Sequence, residues 1–455
     1  MGIYKIKLYV LTVFLIVLAS SCSNDEYMNA IPANCLAVGY ACVDNGDGEG
    51  LNAKAVMKSA LGIDLSDNMG IDLKEKLYFF ETNDGLFGLC AKIDDQEDFL
   101  KSLRLLMLSE KNKAAIHEFK GFHFAVIKSS WIVGVSDKAL LVVGPVVNSQ
   151  YKTIERRMAQ WLDADEEKSI VSCPVYQRLE AINTPLGLVT QIRAIPDQFR
   201  LPFSIGLSKD LDASQILLSL SVDVEDLVVD IQGEVFSLNE HINKTIKEAY
   251  DSFKPITEKY VNSLDENADV ALFLNNNGEK LLQLLRANNT SQLLLTGINT
   301  TIDMDNILKC ADGDFAIIAK SIHNRQPEIA FGAQLHSTDF LKDVNYWKSS
   351  CPPGTRIDEM GKNAFKWNDG SSNYYFGISE DNSFYAGTSE KVNDFGIKNA
   401  VHPVDGKIKE KIVGEKLCCY VNIQNLYDVP DMGEYLSSIL KPMFGKSTIL
   451  FYHTK

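Results

Sequence analysis

Apolar and polar positions recur along this chain with two periods, one of two residues and one near 3.6, and the switches between them lay out its elements. Ile31-Pro32-Ala33-Asn34 leads into Leu36–Val43, a strand-like apolar run closed by the glycine-rich stretch Asn45–Gly50. Leu51–Leu61 carries Val56, Met57, Ala60 and Leu61 at helical spacing and stops at Gly62. Leu77–Glu81 and Leu86–Ile93 flank Asn83-Asp84-Gly85, which predicts a hairpin. Asp94–Met107 predicts a helix with acidic residues in its first turn, where the helix dipole favours them. Phe122–Lys128, Trp131–Ser136 and Leu140–Gly144 complete the region as a strand meander.

That order of elements returns. Trp131–Gly144 aligns without gaps to Tyr374–Gly387: each is an aromatic-led strand with glycine in fourth place and a Ser-acidic turn before a second strand. Phe87-Gly88 and Phe99-Leu100-Lys101 find partners in Phe331-Gly332 and Phe340-Leu341-Lys342. Val270–Leu274 repeats the opening strand, Glu279–Arg286 the helix after it, and Phe315–Ala319 takes the place of Leu77–Glu81. The expected fold class is therefore α+β, with two copies of a mainly antiparallel sheet-plus-helices module.

Between the copies, Ile154–Asp163 and Tyr176–Ile182 read as helices. Gln215–Val224 and Leu227–Ser237 alternate around Glu225-Asp226, predicting an antiparallel hairpin. Asn239–Leu264 reads as one long amphipathic helix with a kink at Pro255. Near the end, Leu417–Ile423, a helix about Met432–Leu440 and a strand at Thr448–Tyr452 form a partial third copy or a closing segment.

The N-terminus has its own logic. Lys5 and Lys7 precede an apolar run from Leu8 to Ala19, and Ala19-Ser20-Ser21 leads into Cys22. The run is shorter than the roughly 20 residues needed to cross a hydrocarbon core. A basic start, a short apolar core and a small-residue cleavage site make a secretion signal. With cysteine next, the pattern resembles a lipobox, in which Cys22 is lipidated and becomes the mature N-terminus. Ser23-Asn24-Asp25-Glu26 resembles a surface-export signal, with a periplasm-facing tether as the alternative.

Composition narrows the partners. Hydrophobic residues make up 45% and charged residues 23% of the 455, enough for a sizeable core. The net charge is −15, which disfavours nucleic acid or an anionic membrane surface. Most of the cysteines beyond Cys22 sit inside apolar runs and read as small buried hydrophobes; Cys418 and Cys419, adjacent in one strand, must point to opposite faces. No CxxC spacing calls for zinc, and no cofactor is implied.

Candidate chemistry is sparse. Gly445-Lys446-Ser447 has the end of a phosphate loop, but Leu440 stands where its first glycine belongs. Ser149-Gln150-Tyr151-Lys152 fits Ser-x-x-Lys without the companion motifs. Asp303, Asp305, Asp312 and Asp314 have turn and capping roles as the simpler reading, a shared cation as the sharper one. The constellation best suited to binding is aromatic: Tyr346, Trp347, Trp367, Tyr374 and Tyr375 flank the loops Cys351–Gly354 and Asn368–Gly370. Exposed rings beside polar groups make a sugar-stacking platform; the alternative is cross-strand packing.

The lipobox, the Ile-Pro-Ala-Asn entry into an apolar strand and the repeated strand pairs resemble a lipoprotein family of Bacteroidota, domain of unknown function 4836. The resemblance implies an α+β, envelope-anchored protein and brings no activity and no site residues. The expected organisation is a signal segment (1–21), a tether (22–30) and a first α+β module (31–150). Helices, a hairpin and the long amphipathic helix follow (151–267), then the second module (268–400) and the closing segment (401–455). The expected function is that of a non-enzymatic, outer-membrane interaction scaffold, held to the membrane by its N-terminal lipid and meeting an envelope protein. The alternative is a surface lipoprotein binding glycan or peptide for nutrient uptake.

Overall fold

The computed structural model describes residues 26–43, 69–109, 115–195, 200, 203–204, 207, 210–286, 302–322, 324, 327–390, 398–429, 432–445 and 447–454. The signal segment, Cys22, the Asn45–Gly50 turn and the Leu51–Leu61 helix lie outside them. The chain forms two compact units, Met1–Cys35 with Leu65–Gln177, and Leu36–Asp64 with Arg178–Lys455. Strand β1 (Cys35–Ala41) opens the ladder of the second unit.

In the first unit, β2 (Leu77–Thr82), β3 (Phe87–Lys92), β4 (His117–Phe119), β5 (Phe122–Ile127), β6 (Trp131–Val135) and β7 (Ala139–Gly144) form an antiparallel ladder in the order β2-β3-β7-β6-β5-β4. The β2–β3 turn closes through Gly85 at φ +79°, a left-handed conformation that glycine adopts freely. Every residue of β7 is buried, which is why Ala-Leu-Leu-Val-Val-Gly reads as a continuous apolar run rather than an alternating one. Helix α1 (Gln96–Ser109) buries Phe99, Leu100, Leu103 and Met107, spaced for one helical face. Helix α2 (Tyr151–Leu162) buries Ile154, Met158 and Ala159. It approaches the sheet closely over Gly134, where a Cβ would stand 3.2 Å from Met158 and 3.1 Å from Leu162.

Residues 26–30, read above as part of a solvated tether, are instead folded. They form a 3₁₀ turn that buries Tyr27, Met28 and Ala30, and the Tyr27 hydroxyl donates to the Lys76 carbonyl at 3.0 Å. Two large apolar side chains in five residues favour burial over solvation.

The second unit contains β8 (Leu186–Gln191), β9 (Leu217–Glu225), β10 (Val228–Phe236), β11 (Val270–Asn277), β12 (Ala311–Lys320), β13 (Glu328–Leu335), β14 (Arg356–Gly361), β15 (Ala364–Asn368), β16 (Asn373–Ile378), β17 (Ser383–Gly387), β18 (Leu417–Asn422) and β19 (Ile449–Thr454). With β1 they pair in the order β1-β8-β9-β10-β19-β18-β11-β12-β13-β17-β16-β15-β14. Among the described strands of this ladder, only the β10–β19 pairing is parallel. The fold is thus mixed α/β, with helices beside mostly antiparallel sheet. Along β11, Leu272 and Leu274 join one core cluster while Ala271 and Phe273 join another, so the strand is covered on both faces. Cys418 and Cys419 divide between the same two clusters, on opposite faces of β18.

Three local expectations shift. The β9–β10 turn falls on Asp226-Leu227 (φ 51° and 65°), one residue later than expected, because Glu225 and Val228 are the last facing pair. The long helix stops early: α3 spans Glu240–Tyr250, capped by Asn239, and the chain beyond it is irregular. Pro255 lacks an N–H and disfavours helix in the residue before it, so it ends the helical stretch rather than kinking it. Lys254 instead bridges Asn275. Asn275–Asn277 lie in β11, and Asn275 and Asn276 are buried. Their amide nitrogens are engaged locally: Asn275 Nδ2 donates to the Pro255 carbonyl at 2.9 Å and Asn276 Nδ2 to Ser252 Oγ at 3.3 Å.

Candidate functional site

The aromatic residues singled out above divide between core and surface. A 3₁₀ turn at Asp339–Asp343 runs into a short helix at Val344–Ser349. Its helical spacing puts Phe340, Val344 and Trp347 on one inward face and turns Tyr346 outward. Trp347 is 3% exposed, stacked on Phe340 with ring centroids 6.4 Å apart at 11°, whereas Tyr346 is 71% exposed. Trp347 therefore belongs to the core and not to an open stacking platform. Trp367 on β15 is half-buried and faces Tyr374 across the β15–β16 ladder, their rings 5.5 Å apart. Its indole Nε1 is buried without a hydrogen-bond partner. Lys366 lies 5.6 Å from the ring of Tyr375, a cation–π contact.

What these strands build is an apolar cavity of about 160 Å³. Phe376 on β16 and Phe384 on β17 form its buried floor, Phe331 and Ala386 its walls, and Ile329 and Tyr374 its partly exposed rim. Ile302 and Met304, at the start of the helix Met304–Lys309, close another side. The polar side chain of Thr388 is already engaged: its hydroxyl donates to the Pro327 carbonyl and accepts from the Ile329 amide, each at 2.9 Å. No carboxylate, ammonium or imidazole is among the residues that line the cavity.

The four aspartates considered for a cation are occupied separately. Asp303 caps the Met304–Lys309 helix through Asn306 N, and Asp305 pairs with Arg286. Asp312 pairs with Lys254 at 2.7 Å, and Asp314 accepts from the Thr257 amide at 3.1 Å. Among the described residues, no three His, Cys, Asp or Glu side chains are grouped to hold a metal.

A charged cluster that sequence reasoning missed lies where β10 and β19 run parallel. His453 Nε2 is 2.9 Å from Asp230 Oδ1, and His453 Nδ1 is 3.1 Å from Glu415 Oε2. Lys411 donates to the other oxygen of Asp230. Burial alone would lower the His453 pKa, but the two carboxylates outweigh it and raise it to about 9. Burial likewise opposes the Asp230 carboxylate, yet His453 and Lys411 hold its pKa below the usual range. Such a cluster ties strands together; both imidazole nitrogens face carboxylates and neither faces the cavity. Only the pairing of residues 223 positions apart reveals it, and no local sequence signal carries that.

These features define a mixed α/β protein with a hydrocarbon-lined hollow and, away from it, a cluster of paired charges at His453, Asp230, Glu415 and Lys411. The chain belongs to the family described as a domain of unknown function (DUF4836), whose model matches residues 49–434. No curated protein matches it. A solved structure described as crystal form IV of TP0453 shares 10% identity over 79% of this chain and 92% of that one; at a TM-score of 0.22 it defines neither fold nor function here.

Proposed function

We propose that this is a non-enzymatic interaction scaffold of the cell envelope, anchored in the outer membrane by a lipid on Cys22 after removal of residues 1–21. Its surface-exposed orientation rests on the acidic pair Asp25-Glu26. The observation that carries the scaffold reading is a recurrence of strand order. The ladder β2-β3-β7-β6-β5-β4 has the same connections as β12-β13-β17-β16-β15-β14. We read these as two copies of one module, in keeping with the gap-free match of Trp131–Gly144 to Tyr374–Gly387. Gly144 faces Phe87 and its counterpart Gly387 faces Ala330, so the sheet register equates Phe87 with Ala330, one residue before the Phe331 that sequence alone selects. The copies have diverged: Gly134 faces Leu141, whereas Gly377 faces Tyr385, a one-residue shift.

A repeated module with unlike side chains gives one chain two binding surfaces, and linked surfaces raise avidity without catalytic groups. A sugar-stacking platform is the weaker reading, because burial of Trp347 removes one of its flat faces. The test is crosslinking in native envelopes with a photoreactive residue at Tyr346. A recurrent adduct to one envelope protein, lost on competition with purified mature protein, supports the scaffold. Specific labelling by a glycan instead, or turnover of a substrate by the purified protein, overturns it.

A further inference from the structure

We propose that the cavity between β13, β16 and β17 is a binding site for an apolar hydrocarbon group, a single ring or the end of a short chain, whose polar part stays outside. This inference does not depend on the anchoring or scaffold reading above.

Size comes first. Close-packed interiors leave few voids larger than a water molecule, so a hollow of about 160 Å³ calls for an occupant. A dry engineered cavity of roughly 150 Å³ lined by aliphatic and aromatic side chains takes up benzene, which sets the scale of ligand: one ring, or about six chain carbons. Chemistry comes second. With Phe331, Phe376, Phe384, Ile302 and Met304 around it and the Thr388 hydroxyl engaged in both directions, the hollow has nothing to satisfy a charge or a buried amide. A water inside would lack the two to four polar partners it needs. An apolar group gives up no hydrogen bond on entry.

The third observation ties the cavity to the second module. Under the alignment of Trp131–Gly144 with Tyr374–Gly387, Ala386 stands where the first module has Val143, which is fully buried. Val143 faces Gly88, whereas Ala386 faces Phe331, so this wall of the second module is a methyl group beside an aromatic ring. The rim agrees: Ile329 and Tyr374 are 37% and 40% exposed, so the hollow has a mouth beside which a polar substituent stays wet.

The test uses the mature protein with toluene and 1-hexanol as ring and chain probes, titrated calorimetrically and followed by thermal unfolding. The expected result is saturable one-to-one binding of at least one probe and a raised unfolding midpoint in its presence, as for any ligand that binds only the folded state. Ala386→Leu, which fills the hollow, weakens binding at least about tenfold. Ile329→Phe narrows the mouth and does the same, keeping the test valid if Ala386→Leu folds poorly. Stronger binding of toluene assigns a ring, and stronger binding of hexanol a chain. Absence of saturable binding by both probes to the wild-type protein, or undiminished affinity in the folded variants, overturns the proposal.

Discussion

His453 on β19 lies 2.9 Å from Asp230 on β10, across the parallel pairing of these two strands. Glu415 at the other imidazole nitrogen and Lys411 on Asp230 complete a cluster of two carboxylates and two cations. Because the His453 pKa is raised from 6.5 to about 9, the folded protein binds this proton more tightly than the unfolded chain. The resulting stability is full below pH 6.5 and is lost as pH rises through 9. Asp230, with a depressed pKa, contributes in the opposite sense: its share is present above the ordinary carboxylate value and is lost as pH falls through the lowered one. Urea unfolding is therefore expected to show a loss of about 2 kcal/mol between pH 6.5 and 9.5. Asp230→Asn flattens that slope; an unchanged slope in the variant contradicts the assignment.

Burial of Trp347 makes it a stability residue. Trp347→Ala empties a site packed by Phe340 and Phe376 and is expected to cost about 3–5 kcal/mol. The adjacent Tyr346→Ala, at an exposed position, stays within about 0.5 kcal/mol. Denaturant midpoints for the two neighbours separate core from surface directly.

At the β9–β10 turn, Leu227 adopts φ 65°, a left-handed conformation that costs a β-carbon-bearing residue energy and glycine little. Its backbone carbonyl accepts from the Thr448 amide, a bond that substitution leaves intact. Leu227→Gly converts Asp226-Leu227 to the Asp-Gly pair favoured in two-residue hairpins and is expected to stabilise by about 0.5–1 kcal/mol. A drop in thermal midpoint contradicts this reading of the turn.

The thiols differ in reactivity for a physical reason. Burial pushes Cys419 up to about 11, and burial with neighbouring Cys173 pushes Cys35 up to about 12. Cys90 and Cys418 are fully buried and raised further. Since the thiolate is the nucleophile, native alkylation at pH 8 is expected to modify half-buried Cys173 and Cys351 first and to spare these four until unfolding. Peptide mass spectrometry reads the order.

Local chemistry made much of the fold legible. Asn83-Asp84-Gly85 announced its hairpin because a left-handed turn position needs glycine, and β7 announced its burial because it holds no polar residue. The sequence misled where tertiary contacts overrule local pattern. The apolar pattern places a strand only over Val270–Leu274, yet hydrogen bonds to Pro255 and Ser252 let the polar run Asn275–Asn277 continue it. The Asn239–Leu264 stripe read as one helix because apolar spacing persists beyond Pro255, which cannot supply the backbone hydrogen bond. For the aromatics, composition alone cannot say which face of Val344–Ser349 turns inward; that depends on Phe340, Phe376 and Phe384 arriving from other elements. The cavity was invisible for the same reason.

The central claim, that the chain works as a lipid-anchored envelope protein, is tested most directly by intact and peptide mass spectrometry of the protein extracted from its native membranes. The account predicts a mature N-terminus at Cys22 carrying a thioether-linked diacylglycerol, and release from membranes in the Cys22→Ala variant. An unmodified Cys22 inside a longer N-terminal peptide, or a Cys22→Ala protein that still partitions with membranes, would contradict it.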